Sequence, residues 1–245
     1  MKKIDLKKIK HVKDYLIIEK DKLNIIFTTA EHERSFNRAT EAGVKDLNSL
    51  KDEFKLDDVI YLKQIHSDTI YQYKLNNNVK ELEGDAIITD VKKTAIGAFS
   101  ADCVPVILTD EEKGVVCAIH SGWRGTFDSI TYKAVEKMKN EYNCNKEDIK
   151  AYIGAHIRQC CYEISEELKE KFIEKKNNID KNKLFKKRNL SMEICIEDDL
   201  KKAGVREENI YSLGLCTYCT NKIKLHSYRK SEGSYGRMFS FVFLK

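Results

Sequence analysis

The stretch IGAFSADCVPVILTDEEKGVVCAIHSGWRGT, residues 96–126, limits the fold more than any other part of the chain. Two apolar runs flank the polar DEEKG, which reads as two antiparallel strands joined by a loop of a few residues. The register that opposes Cys103 and His120 centres the turn between Glu111 and Glu112. In that register both side chains leave the same face, with Cβ atoms about 4.5–5.5 Å apart. That spacing suits a pair of metal ligands or a catalytic dyad. Pro105 lacks an N–H and calls for an edge position or a bulge nearby.

His66 closes the strand-like YLKQIH and is the natural third member of the group. Two imidazoles and a thiolate suit zinc, and three protein ligands with an open fourth position mark a catalytic rather than a structural site. Taken singly, each residue has a plainer reading, as a satisfied polar histidine or a core cysteine. The pairing of Cys103 with His120 is what lifts the set above that.

Ser-Gly-Trp-Arg-Gly-Thr follows His120 and leads into a helical pattern. A strand, a glycine-bearing turn and a helix start form an anion cradle, to which Arg124 adds donors. An ordinary tight turn with Trp123 packed into the core explains the same residues equally well. Asp85, in Gly-Asp-Ala before a strand, is a turn residue or a carboxylate delivered to the site. Near the C-terminus Arg229 and Arg237 are a second anion clamp or merely solvated arginines. Cys216-x-x-Cys219 is a single pair, whereas a four-ligand zinc site needs a second one. Cys160-Cys161 reads as core or pocket lining.

Of the 245 residues 42% are hydrophobic and 34% charged, and no apolar run nears the roughly 18 residues of a membrane helix. The lysine-rich N-terminus has too short an apolar stretch for a signal peptide, so a cytoplasmic protein with no membrane partner is expected. A net charge of +5 spread over 44 basic and 39 acidic residues, without basic runs interleaved with aromatics, argues against nucleic acid. Eight irregularly spaced cysteines read as reduced thiols.

One proline and eleven glycines leave no obvious linker, so residues 1–245 are expected to form a single domain, monomeric or weakly homo-oligomeric. Strands are expected at 23–28, 59–64, 86–89, 94–99, 104–109, 115–119, 150–153 and 239–244, and helices at 127–142, 165–174 and 197–203. The polar residues 175–189 read as a solvated loop or a helix end. Strands and helices interleave irregularly, which points to an α/β (α+β) fold with mixed sheets covered by helices.

Together KQIH, GDAIIT, SADCVPVIL, AIHSGWRGT, IGAHIRQCCYEI, CTYC and HSYR…GRMFSFV resemble the YfiH/YlmD family, the polyphenol oxidoreductase or laccase-domain proteins. The resemblance runs in order from about Phe27 to Leu244. It implies an α/β/β/α domain with zinc on His66, Cys103 and His120. It also implies phosphorolysis of adenosine, inosine, guanosine and methylthioadenosine, with deamination of adenosine. Phosphate would then be held by Arg124, the helix start, and Arg229 or Arg237. In the family FTT is usually followed by an arginine and a glycine-rich loop ending near Ser-Leu-Asn. Here Ala30 stands in the arginine's place within AEHERSFNRAT, and Asn37 is the residue that still matches as a substrate contact.

Three rival readings remain. A multicopper oxidase needs many more than six histidines, so zinc is favoured over copper. A metal-free cysteine hydrolase would use Cys103 as nucleophile and His120 as base. A binding protein would carry the metal without turnover.

Overall fold

A computed structural model describes residues 1–231 and 236–245. Its centre is the hairpin of Val104–Asp110 and Val115–Ser121, both wholly buried. These strands lie within a mixed seven-stranded sheet, in the order Lys2–Lys3, Ile210–Ser212, Lys150–Ile153, Val104–Asp110, Val115–Ser121, Ala86–Thr89, Ile70–Tyr73. A second sheet of six strands runs Lys10–Val12, Tyr15–Glu19, Leu23–Thr28, Met238–Leu244, Thr94–Ser100, Asp58–Ile60.

Alternation along the strands builds three apolar layers. Val106, Leu108, Cys117 and Ile119 turn one way, onto Ile130, Ala134 and Met138 of the Ile130–Tyr142 helix and Ile196 and Leu200 of the Met192–Lys202 helix. Ile107, Val116 and Ala118 turn the other way, against Ile25, Phe27, Ile96 and Val242 of the second sheet. That sheet's outer face, with Ile26, Phe239 and Phe241, packs on Leu47, Leu50 and Phe54 of the Glu41–Phe54 helix. The order of layers is therefore helix, sheet, sheet, helix, the α/β/β/α architecture expected from the resemblance.

The hairpin forms as expected, but its register is shifted by two residues. His120 opposes Pro105, and Val115 opposes Asp110. Asp110 extends its strand and its Oδ1 accepts the N–H groups of Glu112 and Lys113 (3.1 and 2.9 Å), while Gly114 takes φ +63°. The turn is thus centred between Glu112 and Lys113. A shift of two preserves side-chain parity, so Cys103, just before its strand, stays on the face of His120 as a diagonal neighbour.

Pro105 occupies neither an edge nor a bulge, since the ladder runs unbroken through it. Its carbonyl accepts the Gly154 N–H (2.9 Å). In a strand the N and O of one residue point to the same side. The ring nitrogen therefore faces past the end of Lys150–Ile153, and no ladder bond to the His120 strand is lost.

Three further expectations are corrected. The helix expected over 127–142 is two helices, Trp123–Phe127 and Ile130–Tyr142, parted by Ser129 at φ +61°. The strand expected over 59–64 stops at Ile60. Beyond it the Gln64 side chain replaces the ladder, its amide donating to the Phe99 carbonyl (2.9 Å) and its oxygen accepting the Phe99 N–H (2.7 Å).

Residues 175–189 are not a solvated loop throughout. They include a short helix, Lys181–Leu184, and a strand, Phe185–Lys186, that pairs with Asn189–Leu190. Within them Lys176 is buried, with Nζ 2.9 Å from Asp199 Oδ1.

Candidate active site

His66, Cys103 and His120 reach one point from three segments. His120 is carried on the buried Val115–Ser121 strand. Cys103 lies in the bend that joins the two sheets, after Asp102. Asp102 itself adopts φ +100°, a backbone state that costs a non-glycine residue about 1–3 kcal/mol. Its carboxylate accepts the Thr217 hydroxyl (2.5 Å) and the Arg229 N–H (2.8 Å), which holds the bend in place. His66 follows the Gln64 clasp in the left-handed region, at φ +61°.

The ligand atoms of the three residues lie within 4.8 Å of one another. Cys103 Sγ is 3.7 Å from His66 Nε2, and the two imidazoles meet nearly edge to face, with centroids 4.9 Å apart.

Asp85 sits behind this group, its side chain fully buried. Its carboxylate accepts His120 Nδ1–H (2.8 Å), the backbone N–H groups of His66 and Ser67 (3.1 and 2.6 Å) and the Ser67 hydroxyl (2.7 Å). One carboxylate thereby orients one imidazole and shapes the turn that carries the other. Asp85 is both of the things its sequence context suggests, a turn residue and a carboxylate delivered to the site. With Nδ1 engaged, Nε2 is the His120 nitrogen left for a ligand, the arrangement seen behind metal-bound histidines.

The electrostatics follow from this packing. Burial opposes ionisation of Asp85, yet the bonds from His120 and Ser67 hold its carboxyl below the ordinary value. Burial likewise opposes the Cys103 thiolate, but His120 and then His66 bring its pKa down to about 6. Burial works against the His120 imidazolium, and the Cys103 thiolate and Asp85 raise it to about 9. A deprotonated sulfur beside two imidazoles is a soft, electron-rich donor set that fits a zinc-class cation with one position left over.

Gly122 lets the donors approach so closely. A Cβ there would lie 2.6 Å from His66 Cδ2 and 3.3 Å from Cys103 Sγ. His66 is half-exposed and can swing outward, so Gly122→Ala should lower metal affinity by about tenfold or more while leaving the melting temperature within a few degrees. Metal titration beside thermal denaturation checks this.

The three residues open onto a cleft of about 520 Å³. Phe36, Phe99 and Tyr162 line it but are almost wholly buried, whereas Trp123 is half-buried and Tyr228 exposed; Asn37, Arg229 and Arg237 also line it. Arg229 lies over the Tyr162 ring (5.3 Å) and donates to the Glu163 carbonyl. The Arg237 backbone is fixed by Ser35 Oγ and Phe36 N–H. Arg124 is not brought into the cleft wall: it is exposed and stacks on Trp123 (4.5 Å), and its helix is a single turn. Tyr162, Gln64 and Asp102 were not singled out from sequence. Gln64 lies in the quoted KQIH and Tyr162 in CCYEI, so motif membership was the available signal.

Comparison with known proteins bears on the family and the fold. The family model described as "Multi-copper polyphenol oxidoreductase laccase" matches residues 22–245. A purine nucleoside phosphorylase of Clostridium acetobutylicum is 44% identical over 239 residues, covering 97% of this chain and 99% of that one. Adenosine deaminase RL5, from an unknown prokaryotic organism, is 30% identical over 202 residues, covering 78% and 76%. The crystal structure of the hypothetical protein YfiH of Bacillus licheniformis superposes with a TM-score of 0.85 at 26% identity, over 96% of this chain and 97% of that one. The chain belongs to the laccase-domain polyphenol oxidoreductase family, the family of the YfiH- and YlmD-like proteins.

Proposed function

We propose that the chain is a zinc-dependent purine nucleoside phosphorylase acting on adenosine, inosine, guanosine and S-methyl-5′-thioadenosine, with adenosine deaminase activity in the same cleft. One observation carries the reading: aromatic side chains, arginines and the His66–Cys103–His120 donor set line one cavity of about 520 Å³. That volume falls within the range of small-ligand sites. The names of the Clostridium acetobutylicum relative and of RL5 point the same way.

Bound zinc supplies Lewis acidity and lowers the pKa of water towards neutrality. The chain's own residues do the rest. Tyr228 and Trp123, the more accessible aromatic residues of the lining, offer flat surfaces for a purine. Arg229 and Arg237 are the phosphate donors, with Asn37 at the same wall as a polar contact. Asp85 fixes the tautomer and aim of His120. Asp85→Asn should therefore weaken metal binding by about 10–100-fold, read by competition with a chromophoric chelator. Arg229→Ala should raise the KM for phosphate by about tenfold or more, the worth of a charge-assisted hydrogen bond, and Arg124→Ala should leave it within about twofold.

The test is to incubate the zinc-loaded protein with adenosine, with and without inorganic phosphate, and to follow adenine, inosine and hypoxanthine. Adenine should appear only with phosphate, and inosine without it. No product above a Cys103→Ala background would refute the enzymatic reading.

A metal-free cysteine hydrolase has one observation in its favour, since Cys103, His120 and Asp85 form a nucleophile–base–orienter chain. In that case a chelator would leave activity intact while a thiol-alkylating reagent abolished it. The copper oxidase reading fares worse, because only His66 and His120 of the six histidines line the cleft.

A further inference from the structure

A second cluster of sulfur atoms lies in the loops at one end of the seven-stranded sheet. Cys160 and Cys161 follow the Lys150–Ile153 strand, and Cys216 and Cys219 follow its parallel neighbour Ile210–Ser212. All four Sγ atoms lie within 4.8 Å of one another, and those of Cys160 and Cys219 are 3.6 Å apart. In a tetrahedral site with metal–sulfur bonds of about 2.3 Å, neighbouring sulfurs stand about 3.8 Å apart. A disulfide needs them at about 2.05 Å. The cluster has the dimensions of the former.

Each pair is preset by its backbone. The Arg158 carbonyl accepts the N–H groups of Cys161 and Tyr162 (2.8 and 2.9 Å), which closes a tight turn over Cys160 and Cys161. The Cys216 carbonyl accepts the Thr220 N–H (3.1 Å), closing the turn that brings Cys219 back beside Cys216. The Arg158 N–H donates to Cys216 Sγ (3.5 Å), linking the two turns. Cys160 and Cys219 are exposed, so an ion can enter from solvent.

We propose that Cys160, Cys161, Cys216 and Cys219 form a second, structural metal centre, a closed tetrathiolate site for a zinc-class cation. The second cysteine pair that sequence spacing found missing is supplied by two adjacent residues rather than by another C-x-x-C. Four protein ligands leave no open position, so the ion braces rather than reacts. It ties together the loops that end two neighbouring strands. One loop continues directly into Tyr162, a wall of the cleft. The other holds Thr217, whose hydroxyl fixes the Asp102 carboxylate beside Cys103. The inference concerns metal content and is independent of which substrate the cleft takes.

The test counts metal in protein purified under reducing conditions. Native mass spectrometry should find two zinc ions per wild-type chain. The variant His66→Ala/Cys103→Ser, in which the four-cysteine cluster is untouched, should retain one. Loaded with cobalt(II) instead, that variant should show the intense sulfur-to-metal charge-transfer absorption of a tetrathiolate. Cys216→Ser/Cys219→Ser should lose that absorption. The proposal is overturned if His66→Ala/Cys103→Ser binds no metal, if its cobalt spectrum lacks the thiolate bands, or if alkylation trapping shows Cys160 and Cys219 joined in a disulfide in the freshly isolated chain.

Discussion

Cys103→Ala is expected to abolish metal binding at the cleft and to lower kcat/KM for adenosine phosphorolysis by about a thousandfold or more. A metal ion at a reacting centre stabilises the transition state by several kcal/mol, and each 1.36 kcal/mol is a factor of ten. The alanine also leaves His120, whose imidazolium is favoured by the Cys103 thiolate and Asp85, without the sulfur that faces it. Steady-state kinetics with metal analysis on the same sample check the outcome. Because Cys103 lies at the cleft wall rather than in any of the three apolar layers, the variant should fold. Activity within about tenfold of wild type would show that the sulfur is not a ligand.

Asp199→Ala is expected to have the largest effect on stability, about 3–5 kcal/mol. Lys176 Nζ lies 2.9 Å from Asp199 Oδ1 and 2.7 Å from Ser129 Oγ, and Ser129 Oγ donates to Asp199. Both charged side chains are at most 4% exposed. The group pins the end of the Glu166–Lys175 helix, the break at Ser129 and the Met192–Lys202 helix to one another. Removing the carboxylate strands a buried ammonium.

Taking both charges out of water offsets much of the pair's attraction. Burial pushes the Asp199 carboxyl above its ordinary value even with Lys176 beside it. The double variant Lys176→Met/Asp199→Leu should therefore recover most of the loss. Urea denaturation reads both results. A single-variant cost under about 1 kcal/mol, or no recovery in the double variant, would contradict the account.

Legibility in the sequence tracked the range of the interaction. The hairpin was readable because alternating burial is a local pattern, and its face assignment survived a register error that Asp110 and Gly114 introduced in the turn. The place of His66 rests mainly on the resemblance. Its position depends on Gln64 borrowing the backbone groups of Phe99, 35 residues away, and on the Asp85 carboxylate beneath the turn. Asp102 and Tyr162 lie within SADCVPVIL and CCYEI, but their roles are not readable there for the same reason, since sheet order rather than sequence proximity assembles their loops.

The Glu41–Phe54 helix was passed over although its signals are local. Thr40 caps it by accepting the Gly43 N–H, and Val44, Leu47 and Leu50 recur at helical spacing. Lys176 was misread because a lysine among lysines suggests solvent. Only the distant Asp199 makes its burial tolerable.

The most direct test of the central claim is anomalous scattering at the zinc edge from crystals of the zinc-loaded protein. A peak about 2.0–2.3 Å from Cys103 Sγ and from one nitrogen each of His66 and His120 is the predicted result. Zinc-loaded crystals with no anomalous peak among those three side chains would contradict it.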